Sequence, residues 1–143
     1  MKLLDVNLLL YAVDESSPFH QKAQAWLENS ISGPETIAFT WSVLLAFIRI
    51  STNARIFSHP LSAAQALDLV DGWLTRPNVT VVHPTGRHSA VLRELLEPLG
   101  AAGNLTTDAH LSAIAIEHGT ELCSLDNDFS RFPGLLWINP LNP

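Results

Sequence analysis

Asp5, Asp108, Asp126 and Asp128 are the residues whose type and placement could do chemistry in this chain. Asp5 interrupts the apolar opening Met1-Lys2-Leu3-Leu4-Asp5-Val6-Asn7-Leu8-Leu9-Leu10, where a first buried strand is expected. A carboxylate in such a run is costly unless something pairs with it. Asp126 follows a second apolar run, Glu121-Leu122-Cys123-Ser124-Leu125, and Asp108 follows Asn104-Leu105-Thr106-Thr107 at the head of a helical stretch. Acids from separate segments become useful together when one divalent cation balances their charge. Mg2+ or Mn2+ fits best, since both prefer hard oxygen ligands. Such a cation can hold a phosphate oxygen, activate water and balance a leaving oxygen. The expected chemistry is phosphodiester hydrolysis by metal-activated water, without a covalent enzyme intermediate.

Each acid also has a plain structural alternative. Asp126 in Asp126-Asn127-Asp128 could start a turn, and Asp108 could simply complement a helix dipole. Asp128 reads as a local cap or an outer partner of the cluster. Asn7 either orients Asp5 or bends the strand's exit. Asp5 has the fewest innocent roles.

The elements that must position these side chains alternate. Residues 3–6 read as a buried strand, with residues 7–11 leaving it. Ser17-Pro18 resembles a helix start, and residues 19–30 carry Ala23, Trp26 and Leu27 at helical spacing before Gly33-Pro34. Residues 37–40 predict a second strand and 41–50 an apolar helix. A helix opening at residues 60–62 and running to 74 precedes a β-branched strand over 79–82. An amphipathic helix follows over 87–99. Thr107 then caps a helix over 108–118, which Gly119 closes. Residues 121–125 and 135–138 are strands. This alternation implies one three-layer α/β domain over 1–143, with a mainly parallel sheet flanked by helices. In such sheets ligands sit outside the carboxyl ends of the strands, where Asp5 and Asp126 both fall.

Composition narrows the class further. A chain of 143 residues is long enough for a real core. With 47% hydrophobic and 15% charged residues it fits a compact globular protein. The opening run lacks a signal-peptide cleavage pattern and no segment reaches membrane-spanning length, so no membrane partner is expected. The lone Cys123 suits a packing residue in a reducing cytoplasm. A net charge of −6 argues against a broad basic nucleic-acid surface, but not against an enzyme whose metal cluster meets phosphate locally. His83, His88, His110 and His118 lack zinc-type pairing and read as structural or surface histidines. His110, two residues past Asp108, points from another helix face. No nucleophilic-serine motif or phosphate-cradling glycine loop is present. Lys2 and Lys22 are the only lysines, which excludes a receiver domain, and Asp5-Val6-Asn7 lacks the second acid of a haloacid-dehalogenase phosphatase.

Four segments, in order, resemble the PIN domain family, and within it the VapC-type toxins of bacterial toxin–antitoxin pairs. They begin at Asp5-Val6-Asn7-Leu8-Leu9-Leu10-Tyr11-Ala12, Phe47-Ile48-Arg49, Thr107-Asp108-Ala109-His110 and Asp126-Asn127-Asp128-Phe129. The resemblance implies a Mg2+- or Mn2+-dependent endoribonuclease acting on cellular RNA such as tRNA or rRNA. It also implies a homodimer neutralised by a cognate VapB-like antitoxin. Carried over by motif, Asp5, Asp108 and Asp126 are the catalytic metal-holding acids, with Asp128 assisting at the metal. Arg49 and Arg55 are candidate phosphate contacts. One position departs from the pattern. Relatives often place a Glu just before the Phe-x-Arg that matches Phe47-Ile48-Arg49, and Ala46 stands there instead. A non-catalytic PIN-like module that binds RNA or protein is the competing reading, and metal-dependent RNA cleavage separates the two.

Overall fold

The computed structural model describes residues 1–142. Its frame is a five-stranded sheet built from β1 (Lys2–Leu4), β2 (Ile37–Phe39), β3 (Val79–Val81), β4 (Glu121–Cys123) and β5 (Trp137–Ile138). The spatial order is β3-β2-β1-β4-β5 and every pairing is parallel. β1 sits at the centre, with Lys2 opposite Ile37 on one side and Glu121 on the other. Leu3, Leu4, Ala38, Phe39, Leu122 and Cys123 are all fully buried. That burial explains why these strands read as unbroken apolar runs.

The helices are α1 (Val6–Val13), α2 (His20–Ile31), α3 (Trp41–Ser51), α4 (Ala63–Leu74), α5 (His88–Leu96) and α6 (Thr106–Glu117). α1 packs on α2 and α3, α3 on α4, and α5 on α6. The chain moves outward from β1 to β2 to β3, then returns past β1 to β4. Right-handed crossovers therefore put α1 to α4 on one face and α5 and α6 on the other. The reversal makes the gap between β1 and β4 the topological switch point, where a crevice opens at the strands' carboxyl ends.

Most expected elements are present, with shorter strands. The stretch after Asp5 differs in kind. Residues 7–11 do not merely leave the strand: the chain turns at once into α1, which buries Leu8, Leu9 and Ala12. Seven of its eight residues are apolar, a run that also suits a buried strand and its exit. What starts the helix is Asp5, whose carboxylate accepts a hydrogen bond from the Val6 N–H at 2.7 Å. Ser17 does not cap α2: it accepts from the Phe19 N–H in the preceding turn, and the helix begins at His20, two residues later than Pro18. Thr107 does not cap α6. That helix starts at Thr106, whose hydroxyl donates to the Gly103 carbonyl. Ser62 and Gln65 form a reciprocal capping box at the start of α4. Among the described residues no helix is long and apolar enough to cross a membrane.

Leu8 is fully buried where α1 meets the sheet, whereas Leu136 is 62% exposed. Leu8→Ala is expected to lower unfolding free energy by roughly 2–5 kcal/mol, and Leu136→Ala by under about 0.5 kcal/mol. Urea denaturation of the two variants reads the difference.

Candidate metal centre

Asp5 follows β1 directly, at the mouth of the switch-point crevice. Its backbone N–H continues the sheet by donating to the Cys123 carbonyl at 3.0 Å. Its carboxylate is buried and held from two sides. One oxygen takes the Val6 N–H, and the other accepts from the Ser124 hydroxyl at 2.7 Å. Burial pushes the Asp5 carboxyl above its ordinary range, those two hydrogen bonds pull it partly back, and the charge on Asp126 raises it again.

Ser124, fully buried just past β4, is the hub of this end of the sheet. Its hydroxyl donates to Asp5 and accepts from Asn7 Nδ2 at 3.0 Å and from the Asp126 N–H at 3.0 Å. Its carbonyl accepts from Trp137 Nε1 at 3.0 Å. Asn7 also accepts the Leu125 N–H through Oδ1, at 3.4 Å. Asn7 thus ties α1 to the β4 exit rather than bending the chain. Ser124 is a residue the sequence reading missed. The available signal was a small hydroxyl ending a buried strand beside two acids.

Asp126 caps the short 3-10 turn Asn127–Arg131 by accepting the Asp128 N–H at 2.9 Å. The turn role and the cluster role are therefore filled together. Asp108 stands in the first turn of α6, on the sheet's opposite face. One carboxylate oxygen each from Asp108, Asp126 and Asp128 lies within 4.8 Å of the others. Asp128 is half exposed and also 3.6 Å from Arg131 Nε. Burial and the charges of Asp5, Asp126 and Asp128 push the Asp108 carboxyl up to about 6. Asp5 lies outside the three-acid group but lines the same open cleft of about 410 Å³, with Asn7, Tyr11, Asp108, Leu125 and Asp126.

Three other candidates do not line this cleft. Arg49 and Arg55 are exposed elsewhere, and half-buried Ala46 lies on α3. His110 points away from Asp108, as its spacing required. His110 Nδ1 meets His88 Nε2 at 2.9 Å, and His88 Nδ1 meets Glu117. The buried Glu117 carboxylate also accepts the Thr85 N–H and hydroxyl at 2.8 and 2.6 Å. Burial alone would raise the Glu117 carboxyl; the hydrogen bonds from Thr85 and His88 outweigh it and hold the carboxyl below its usual range. These histidines therefore brace α5 against α6.

An all-parallel five-stranded sheet with acids gathered at its switch point is shared by several families, and the sequence separates them. Residues 2–135 match the PIN domain, and the chain belongs to that family, on its VapC branch. It is 43% identical to Ribonuclease VapC33 of Mycobacterium tuberculosis over 141 residues, covering 99% of each chain. It is 41% identical to Ribonuclease VapC37 of the same organism, covering 98% of this chain and 97% of the relative. Among solved structures it resembles VapBC2 from Rickettsia felis, bound to a DNA fragment from their promoter, with TM-score 0.70 and 21% identity. That match covers 96% of this chain and 97% of the other. FitAcB from Neisseria gonorrhoeae aligns with TM-score 0.64 and 14% identity, covering 100% of both chains.

The raised Asp108 carboxyl has a measurable consequence in metal-free protein. Native Asp108 keeps its proton to about pH 6, whereas an ordinary aspartate titrates near 3.8. Between these values the unfolded chain binds fewer protons than the native one, so stability falls as pH rises, then levels off above about 6. Asp5 is shifted in the same direction and adds to the fall. Chemical denaturation in chelator across this range is expected to show the decline, and Asp108→Asn to make it shallower.

Proposed function

We propose that the chain is the toxin of a VapBC-type toxin–antitoxin pair, an endoribonuclease acting as one PIN domain over 1–143. The observation that supports this most directly is the convergence of Asp108, Asp126 and Asp128 to within 4.8 Å beside buried Asp5. Three carboxylates so close repel one another in water, and a donor set made only of hard oxygens suits Mg2+ or Mn2+. Burial raises the Asp108 carboxyl most, and the charges of Asp5, Asp126 and Asp128 add to the rise. The residues fit the group. Asp108, Asp126 and Asp128 would hold the ion, and Asp5, which lines the same cleft, would complete the cluster. Bound there, such a cation supplies charge for a phosphate oxygen, activation for an attacking water and balance for the leaving oxygen.

The chain's own residues do the positioning. The Val6 N–H and the Ser124 hydroxyl hold Asp5 in one orientation with both oxygens engaged. Asn7 and Ser124 lock the β1 and β4 exits together, so the acids from the two strands keep a fixed separation. Asp108 arrives from the other layer on a helix whose far end is braced through Glu117. The cleft is open, as a polymeric substrate requires, and a cation held by the acids would let a chain of net charge −6 meet phosphate at one point. The relatives named ribonucleases support RNA as substrate, and the resemblance to VapC-type toxins implies tRNA or rRNA as its class. Solved VapBC complexes of this fold support a VapB-like antitoxin as partner. A homodimer in the cytoplasm completes the reading.

Asp5→Asn and Asp126→Asn each exchange a charged oxygen donor for a neutral side chain of equal size. Either variant is expected to lose most Mn2+-dependent cleavage of purified tRNA and rRNA while keeping a native circular dichroism spectrum. Full cleavage by a folded variant would sink the assignment.

Ion binding is also expected to register as stability. A ligand that binds only the native state adds about 2.7 kcal/mol at a hundredfold excess over Kd. Millimolar Mn2+ should raise the melting temperature of the native sequence, and Asp108→Asn should shrink that rise. Equal shifts in both proteins would place the ion elsewhere.

A further inference from the structure

A second groove of about 440 Å³ opens beside the acid cleft, within the size range of small-molecule sites. It is lined in part by Tyr11, Phe19, Lys22, Leu125, Asn139 and Asn142. Tyr11 and Leu125 line both hollows, so the groove continues the cleft directly. Leu125 also precedes Asp126 in the chain, so the groove wall adjoins the acid cluster.

The lining has a specific chemistry. Phe19 is an aromatic left 43% exposed at the start of α2, its ring 5.2 Å from that of Tyr11 and tilted by 43°. An exposed π face beside a second ring offers a platform for stacking. Asn139 Oδ1 accepts the Leu141 and Asn142 N–H groups at 3.1 and 3.2 Å. The amide is thereby fixed, and its Nδ2 has no partner among the described residues. Lys2 is paired with Glu35 at 3.2 Å, whereas Lys22 makes no ion pair among the described residues. Aromatic faces, an oriented amide donor and a free ammonium are together what a nucleotide needs. The base stacks, its edge accepts a hydrogen bond, and the phosphate meets a cation.

We propose that this groove is a nucleobase subsite, taking a base of single-stranded RNA next to the phosphate held in the acid cleft. The inference rests on the reading of that cleft as one that receives RNA. Stacking on Phe19 and Tyr11 holds the strand without demanding a sequence, and the Asn139 amide favours bases that present an acceptor on the exposed edge. The subsite also explains how an acidic protein holds a polyanion: part of the affinity comes from bases rather than phosphates. A duplex cannot enter in this way, because its bases are already stacked and paired.

The test uses fluorescence anisotropy in Mn2+ on the Asp5→Asn background, which suppresses cleavage. The probes are a fluorescein-labelled, ten-nucleotide, mixed-sequence RNA and the same strand built from abasic riboses. The base-bearing strand is expected to bind at least about tenfold more tightly, in keeping with alanine substitutions at other stacking platforms. Adding Phe19→Ala should remove most of that preference, and adding Phe19→Trp should retain it. Lys22→Gln should weaken both strands alike. Equal affinity for the two strands, binding of neither, or a preference that survives Phe19→Ala would overturn the subsite and leave the groove to a segment of a protein partner. Discrimination between the strands by a protein whose native form cleaves no RNA would overturn the nuclease reading and leave the subsite standing.

Discussion

Carboxylates of like charge, brought together at the ends of two adjacent parallel strands, set the terms for the structure around them. Left alone they would push apart or take up protons. They stay close because each is anchored by groups that cannot move independently. Asp5 is gripped by a helix N-terminus and a buried hydroxyl, and Asp126 by the backbone of its own turn. Asp108 is carried on a separate layer. Burial first, and the neighbouring charges second, raise the Asp5 and Asp108 carboxyls. A protein optimised only for stability would have no reason to retain this arrangement.

The sheet order makes this arrangement available. Only between β1 and β4 do crossovers leave in opposite directions, so only there can helices from both faces deliver side chains to one crevice. The distal end of α6 is fixed by the Glu117 carboxylate, which receives hydrogen bonds from Thr85 and contacts His88. A helix pinned at its far end presents its first turn in a constant direction. The histidines serve the acids through this mechanical link, without approaching them.

Much of this was legible in the order of residues. Asp5 and Asp126 were marked by being charges at the ends of apolar runs, and alternating strands and helices implied the parallel sheet. Asp128 was underrated because its local role as part of a turn is real; the same turn brings its carboxylate to the cluster. Helix α1 was hidden because seven of its eight residues are apolar, and a short apolar run suits a strand as well as a helix. Ser124 carried only a faint mark, a hydroxyl at the end of an apolar run. Two of its three side-chain hydrogen bonds reach Asp5 and Asn7, far away in sequence, and a single serine does not name distant partners. The groove beside the cleft combines α1, α2 and the segment after β5, a meeting that topology alone decides.

The pairing of Ser124 with Asp5 spans 119 residues, and that of Asn7 with Ser124 spans 117. Translation delivers these partners at opposite ends of the process. Asp5 and the helix it starts leave the ribosome early, while β4, which must slot against β1, arrives after more than four-fifths of the 143 residues have been joined. A growing chain can assemble β1, β2 and β3 with their helices, yet it holds a single acid of the centre through most of its synthesis. Loop closure over such a span is also slow compared with local helix formation. Fragments released early from stalled messages therefore lack the assembled acid cluster, and competence arrives in one late step. For a protein whose proposed substrate includes the machinery that makes it, the order of the strands works as a built-in delay.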